Sequence, residues 1–297
     1  MTPALPPTLP PAAPSRRHRA HAPSRGRLWS GLGVALAAVG CAPPGPQAPA
    51  SATDAMRTNV KVGAPLNVDL SVLRAGSGTG PRLILVHGTP GSAASWADYL
   101  LSPPPGVEVL ALDRPGFGFS GPEAAVTGLA EQAAAVAALL PGDGRPVVLL
   151  GHSLGGPVVA RVAAEHPGRV TGLVLLAASL DPALEKIHPL QRLGATAVVR
   201  GMLPRAIRNA NAELMALEPE LRSLAPMLAG IRARIVIVHG TQDDLVPVEN
   251  VAFMQARLSG ARCVDTVLLD GRNHFLPWNS APDVRAAVEL SLRPDCP

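Results

Sequence analysis

The stretch VVLLGHSLGGPVVARVAAEHP, Val147–Pro167, joins a short apolar run directly to an Ala- and Val-rich run with helical character. Between the two runs, Ser153 has a glycine two positions before it and another two positions after it, Gly151 and Gly155. This G-x-S-x-G pattern between a predicted strand and a predicted helix is typical of a nucleophile elbow. In such a turn the serine backbone is strained, and glycines are needed where a Cβ would collide. The stretch therefore predicts a reactive serine hydroxyl at the end of a buried strand.

Apolar runs alternate with Ala- and Leu-rich helical segments along the rest of the chain from Val60 onward. The runs are nearly continuous in Val, Ile and Leu, as strands that are buried on both faces require. They read LNVDLSVLRA, RLILVHG, VEVLALD, PVVLLGHS, VTGLVLLAAS, ARIVIVHGTQD and CVDTVLLDG. The pattern predicts an α/β fold with a mostly parallel central sheet and helices on both faces. Functional residues are expected in the turns beyond the carboxyl ends of these strands.

A serine hydroxyl is a weak nucleophile at neutral pH, so a base and an acid that orients the base are expected with Ser153. The base candidate is His274 in LLDGRNHFLPW, beyond the last predicted strand. The acid candidate is Asp243 in VIVHGTQDDLVP, beyond the preceding strand. Asp244, next in the chain, and Asp181, after the LVLLAAS run, are alternative acids. The three chosen side chains fall at one edge of the predicted sheet, where a catalytic triad can form.

From about Leu83 to Leu292 the chain resembles the α/β-hydrolase fold family, in particular its esterase, lipase and peroxidase-like members. The similar segments are LVHGTPGSAASW, DRPGFGFS, GHSLGGPVVARVAAEHPGRVTGLVLLAAS, HGTQDDLVP and GRNHFLPW. The resemblance implies that the backbone N–H groups of Thr89 and Leu154 form an oxyanion hole. It also implies that an insert at about residues 180–231 forms a small helical cap over the active site.

The first 41 residues predict an export signal. A Pro-, Ala- and Arg-rich region is followed by a short apolar stretch, and AAVGC at the end resembles a lipobox whose Cys41 would be acylated. Residues 42–59 predict a Pro/Ala-rich linker, and residues 60–297 the hydrolase domain. We therefore expect a membrane-anchored lipoprotein or a periplasmic or extracellular protein. A cytoplasmic protein with an Ala-rich N-terminus is the alternative.

The cysteines bear on the same question of compartment. Once Cys41 is assigned to lipid, Cys263 and Cys296 remain, and neither has the local sequence of a catalytic thiol. In an oxidising compartment we hypothesise that they pair and tie the last strand to the C-terminal tail.

The sequence pI of about 9.5 does not point to a nucleic-acid partner. Removing the five arginines before residue 41 takes the net charge from +4 to −1, so the basic character belongs to the leader. With 47% hydrophobic and 16% charged residues, the composition is that of a folded domain. The oligomeric state is not indicated.

These features predict a serine hydrolase that cleaves small carboxylic esters or thioesters through an acyl-enzyme on Ser153, without a metal or an organic cofactor. His87, His152 and His239 lie near the same sheet edge, but their spacing is not that of metal ligands, and structural roles are expected. Perhydrolysis or C–C bond hydrolysis by the same triad, or a non-catalytic binding protein, are the alternatives. Aromatic candidates for lining the pocket are Trp96, Tyr99, Phe119, Phe275 and Trp278, and Trp96 can equally belong to the core.

Overall fold

The computed structural model describes residues 50–64, 66–76, 78–293 and 295–296. Within them an eight-stranded sheet has the order β1-β2-β4-β3-β5-β6-β7-β8. The strands are β1 (Arg57–Val62), β2 (Val68–Gly76), β3 (Arg82–Val86), β4 (Glu108–Leu112), β5 (Val147–His152), β6 (Gly172–Leu176), β7 (Arg234–Gly240) and β8 (Cys263–Leu269). Strand β2 pairs antiparallel with β1 and β4, and all other neighbouring pairs are parallel. The predicted mostly parallel sheet is confirmed.

Helices connect these strands and cover the two faces of the sheet. They are α1 (Ala50–Asp54), α2 (Ala97–Leu101), α3 (Leu129–Ala137), α4 (Gly155–Glu165), α5 (Pro189–Gly194), α6 (Ala197–Met202), α7 (Arg205–Leu224), α8 (Asn250–Arg257), α9 (Leu276–Asn279) and α10 (Ala281–Ser291), with 3₁₀ turns at Ala93–Trp96 and Ala225–Gly230. Helices α5, α6 and α7 all lie in the insert between β6 and β7. None of the helices in the described ranges combines the length and the apolar composition that crossing a membrane requires.

The continuous apolar runs follow from a core on each face of the sheet. Successive side chains of a strand point to opposite faces, and in β3 Leu83 and Leu85 join one core cluster while Ile84 and Val86 join the other. Because both faces are covered, a polar side chain has no solvated face to occupy. The central strands therefore lack the alternation of apolar and polar residues that a half-exposed sheet shows.

Regular structure begins earlier than predicted. Helix α1 and the first residues of β1 fall inside the range 42–59, which was predicted as a linker. Strand β1 is half exposed and carries polar residues such as Asn59 and Lys61, so it lacks the apolar run by which the other strands were recognised. Strand β1 is held in the sheet by antiparallel pairing with β2 along its whole length. The predicted export signal, residues 1–41, lies outside the described residues.

The hypothesised pairing of Cys263 with Cys296 is present as a disulfide with a Cα–Cα distance of 6.0 Å. The bond joins the first residue of β8 to the segment after α10, the last helix. It therefore closes a covalent loop around the helix that packs under β6 and β7. Restricting the unfolded chain in this way stabilises the fold.

Candidate active site

Ser153 lies at the sharp turn between β5 and α4. Its φ of 55° is in the left-handed region, which is a strained conformation for a serine. A Cβ on Gly151 would overlap the carbonyl oxygen of Gly155, and a Cβ on Gly155 would overlap that of Val86. Both positions of the G-x-S-x-G pattern are therefore restricted to glycine by close backbone approach.

Two backbone N–H groups near Ser153 are available to a ligand. Leu154 directly precedes α4, whose N-terminus carries partial positive charge. The loop after β3 lies against the serine, since a Cβ on Gly88 would be 2.8 Å from the Cβ of Ser153. Among the described residues, neither Leu154 N–H nor Thr89 N–H donates to a protein acceptor. Both N–H groups named by the sequence resemblance are therefore without a protein acceptor among the described residues.

Asp243 and His274 form a buried hydrogen-bonded pair at the ends of β7 and β8. The Asp243 Oδ2 atom is 2.8 Å from His274 Nδ1. The other carboxylate oxygen, Oδ1, accepts from the backbone N–H groups of Leu245 at 3.0 Å and Val246 at 2.8 Å. Burial raises the pKa of Asp243, but the hydrogen bonds from His274 and Val246 outweigh it and hold that pKa below its usual value. Asp243 is therefore ionised at neutral pH.

The carboxylate determines which ring nitrogen of His274 carries the proton. An ionised carboxylate only accepts, so Nδ1 carries the hydrogen and Nε2 presents a lone pair. Within the described residues, neither His274 Nε2 nor the Ser153 hydroxyl has a protein hydrogen-bond partner. Hydrogen bonds between a nucleophile and its base are often long or open in free enzymes and tighten when substrate binds.

Two further histidines pack around this pair and are neutral. His152, which precedes Ser153, donates through Nε2 to the carbonyl oxygen of His274 at 3.0 Å, and its ring centre is 4.7 Å from that of His274. Burial, followed by the charge of His274, lowers the pKa of His152 to about 3. His239 donates to the carbonyl oxygen of Val246 at 2.9 Å, and burial lowers its pKa. These contacts hold the backbone on both sides of the Asp243–His274 pair.

Acidification is expected to destabilise the fold below about pH 6.5, the ordinary pKa of histidine. His152 stays neutral in the folded chain down to about pH 3, whereas the unfolded chain binds a proton near pH 6.5. Stability is thus fully present above pH 6.5 and is lost toward pH 3, by about 1.4 kcal/mol per pH unit for each such histidine. Urea unfolding at several pH values measures this slope. His152→Gln, which retains an N–H donor, should have a shallower slope than the wild type, and equal slopes would contradict the expectation.

Within the described residues, neither alternative acid has a hydrogen bond to His274. Asp244 is exposed. Asp181 accepts from the backbone N–H of Ala183 in its own loop at 2.9 Å. Of the three carboxylates considered from the sequence, Asp243 is the one that contacts the histidine.

The prediction for Tyr99 was wrong, and of the two placements left open for Trp96 the structure shows the core. Trp96 and Tyr99 are 1% and 3% exposed and belong to the core on one face of the sheet, where a 3₁₀ turn and α2 pack on the strands. They therefore do not line the site. Phe119 is 73% exposed. Phe275 and Trp278 lie nearer to the serine, because their rings pack against those of His274 and His152, respectively.

A second group of buried polar residues lies beside the Ser153 turn, and the sequence analysis did not identify it. Arg114 follows β4, and its guanidinium group bonds the carboxylate of Glu213 on α7, 99 residues further along the chain. Arg114 is within a segment that carried the family resemblance, DRPGFGFS, which was a signal for it. Glu213 stands in a helix of mixed composition, and nothing in the local sequence separates it from solvated acids.

The sheet order, the strained Ser153 turn and the Asp243–His274 pair are typical of one class of protein. A family model described as alpha/beta hydrolase fold matches residues 81–218. The chain therefore has the α/β-hydrolase fold.

Particular relatives lie within the same class. Lipase LipV of Mycobacterium tuberculosis is 40% identical over 122 residues, which span 39% of this chain and 43% of the lipase. The match therefore covers less than half of that protein. Pimeloyl-[acyl-carrier protein] methyl ester esterase of Aeromonas hydrophila is 27% identical over 244 residues, 69% of this chain and 92% of the esterase. The enol-lactonase structure from Burkholderia xenovorans LB400 superposes with a TM-score of 0.62 at 19% identity, covering 79% of this chain and 99% of the lactonase, which shows the shared fold.

Proposed function

We propose that this protein is a serine hydrolase that cleaves carboxylic esters or thioesters through an acyl-enzyme on Ser153. The observation that carries the proposal is the buried Asp243–His274 hydrogen bond next to a strained serine. The names of the curated relatives, a lipase and a methyl ester esterase, agree with this class of reaction.

In the proposed first half-reaction, the Ser153 oxygen attacks the carbonyl carbon of the ester while His274 Nε2 takes the serine proton. The carbonyl oxygen becomes an oxyanion, and the N–H groups of Thr89 and Leu154 stabilise it. When the C–O or C–S bond breaks, His274 returns the proton to the departing alcohol or thiol. The products of this step are the acyl-serine and the free leaving group.

In the second half-reaction, a water molecule attacks the acyl-serine, and His274 takes a proton from that water. The second oxyanion collapses, the acid leaves, and the proton passes to the Ser153 oxygen. Throughout the cycle, Asp243 keeps the Nδ1 hydrogen of His274 in place and stabilises the imidazolium that forms.

We propose further that the insert between β6 and β7, predicted at residues 180–231, is the cap over this site and that it selects apolar acyl groups. Helices α5 and α6 contain no buried residue. Their exposed large apolar side chains are Leu190, Leu193, Val198 and Met202. Aliphatic surface of this kind favours acyl chains over sugars or phosphates as ligands.

The location proposed for the protein is outside the cytoplasm, with Cys41 as the point of lipid attachment. The Cys263–Cys296 disulfide supports this, because such bonds persist in oxidising compartments. Fractionation of the producing cells tests the attachment. The wild type is expected with the membranes and Cys41→Ser in the soluble fraction, and the same distribution for both would contradict it.

The reaction is tested by steady-state hydrolysis of p-nitrophenyl esters and acyl thioesters of increasing chain length with the purified full chain. A burst of p-nitrophenol equal to the enzyme concentration is expected if deacylation is the slower step. We expect turnover of the esters, with KM falling as the acyl chain lengthens. Failure to hydrolyse any ester or thioester in the series would contradict the proposal.

A further inference from the structure

The carboxylate of Glu213 connects the insert to the loop that precedes the proposed oxyanion hole. Glu213 lies on α7 and is 2% exposed. Its Oε2 atom accepts from the Thr89 hydroxyl at 2.6 Å and from Arg114 Nη2 at 3.0 Å. Its Oε1 atom accepts from Arg114 Nη1 at 2.6 Å and from Gln132 Nε2 at 3.0 Å. Four hydrogen bonds thus hold one buried charge, as a carboxylate away from water requires.

Arg114 carries the contact from Glu213 to the backbone before Thr89. The Arg114 side chain is completely buried. Its Nε donates to the carbonyl oxygen of His87 at 2.9 Å, and Nη2 also donates to that of Gly88 at 3.0 Å. The planar guanidinium group therefore bonds the carboxylate with one edge and two consecutive carbonyl groups with its remaining donors.

The carbonyl oxygen of Gly88 also accepts a hydrogen bond from His87. The backbone N–H of Arg114 donates to His87 Nε2 at 3.0 Å, so this nitrogen carries the lone pair and Nδ1 carries the hydrogen. His87 Nδ1 then donates to the Gly88 oxygen at 2.7 Å. Burial, followed by the charge of Arg114, holds the pKa of His87 well below its usual value, which keeps the ring in this neutral form.

Fixing the Gly88 oxygen also fixes the direction of the Thr89 N–H. The two groups belong to one trans peptide, in which the C=O and the N–H point to opposite sides. The oxygen points to Arg114 and His87, so the N–H points away from them, and Gly88 itself lies against Ser153. The Thr89 side chain is held at the same time by Glu213.

We propose that Glu213 and Arg114 are positioning residues that aim the Thr89 N–H at the oxyanion, and that the insert thereby controls the rate of the chemical step. The proposal rests on the serine hydrolase function above. It makes the position of α7 a condition for full activity, because α7 supplies the carboxylate that orders the loop. Substrate binding depends less on this contact than the chemical step does, since an oxyanion exists only after attack.

The test compares kcat and KM for p-nitrophenyl ester hydrolysis in variants of the full chain. Thr89→Val removes the hydroxyl that bonds Glu213 and preserves side-chain shape. We expect kcat to fall on the order of tenfold, with KM within about twofold of the wild type, because misaiming an oxyanion donor costs less than the loss of one. Thr89→Ser, which keeps a hydroxyl, should restore most of kcat.

Glu213→Gln tests the carboxylate itself, and Glu220→Gln is its matched control. Glu220 stands two turns later on α7 and accepts from the backbone N–H of Leu129 at 2.8 Å, and within the described residues it has no hydrogen bond to Thr89 or Arg114. Glu213→Gln should lower kcat more than Thr89→Val does, whereas Glu220→Gln should leave kcat unchanged. Thermal unfolding of each variant accompanies the kinetics, so that instability is measured separately from turnover.

Wild-type kcat for Thr89→Val, or equal loss of kcat in Glu213→Gln and Glu220→Gln, would overturn the positioning proposal while the hydrolase function stands. A wild-type chain that hydrolyses no ester would instead overturn the proposed function. The two failures are therefore distinguished by the wild-type measurement alone.

Discussion

Ser153→Ala is expected to lower kcat for ester hydrolysis by about 10⁴-fold or more, since removing the nucleophile leaves only the oxyanion donors and substrate binding. The fold should be retained, because the Ser153 hydroxyl makes no hydrogen bond to the described residues. Steady-state kinetics and thermal unfolding of the purified variant measure both effects.

Ser179→Ala is the matched control for that substitution. Ser179 is 4% exposed, lies just after β6, and donates its hydroxyl to the carboxylate of Glu185. Its backbone N–H also approaches the carbonyl oxygen of Ser153 at 3.4 Å, so the two serines are close neighbours. We expect the control to retain kcat within a few-fold. Comparable losses in both variants would mean that the effect is structural and that Ser153 is not the nucleophile.

Asp243→Asn is the second substitution with a large expected effect, a fall in kcat of about 10³–10⁴-fold. In the wild type, Oδ1 accepts two backbone N–H groups, and Oδ2 accepts from His274. The amide of the variant satisfies the backbone donors only with its oxygen, which turns its NH₂ group toward Nδ1. That nitrogen must then accept, so the His274 proton moves to Nε2 and the lone pair needed to take the serine proton is lost.

The control for this change is Asp244→Asn, the same substitution one residue later at an exposed position. It should leave kcat and its pH dependence unchanged. A pH–rate profile distinguishes the mechanisms, because the wild type should show a rising limb for a histidine base, which Asp243→Asn should alter. If Asp244→Asn reduced kcat and Asp243→Asn did not, the assignment of the acid would be wrong.

The central strands could be predicted from the sequence because a strand that is buried on both faces appears as a continuous run of apolar residues. Strand β5 is apolar almost throughout and ends at a glycine pattern, and every residue of β7 is buried. Strand β1 has no such signature, because it lies at the edge of the sheet and half of it is exposed. Strand β1 is held in the sheet by hydrogen bonds to β2, and no local sequence pattern indicates such pairing.

The residues of the candidate site likewise divide into those that the sequence predicts and those that it does not. Ser153, Asp243 and His274 each follow a recognisable strand, so the parallel sheet brings their turns to one edge. The contact of Arg114 with Glu213 depends instead on how the insert folds back, and a separation of 99 residues carries no periodic signal. The burial of Trp96 was left open in the sequence for a related reason: an aromatic residue near a strand end packs equally well in a pocket or in the core, and here α2 and β3 enclose it.

The most direct test of the central claim is labelling of the purified full chain with a fluorophosphonate probe, followed by peptide mapping. Such a probe phosphonylates a serine that a neighbouring base has activated. We expect one modified residue, Ser153 in the GHSLGG peptide, and we expect labelling to disappear in Ser153→Ala and to slow strongly in Asp243→Asn. A folded wild-type chain that is not labelled, or that is labelled at another serine, would contradict the account.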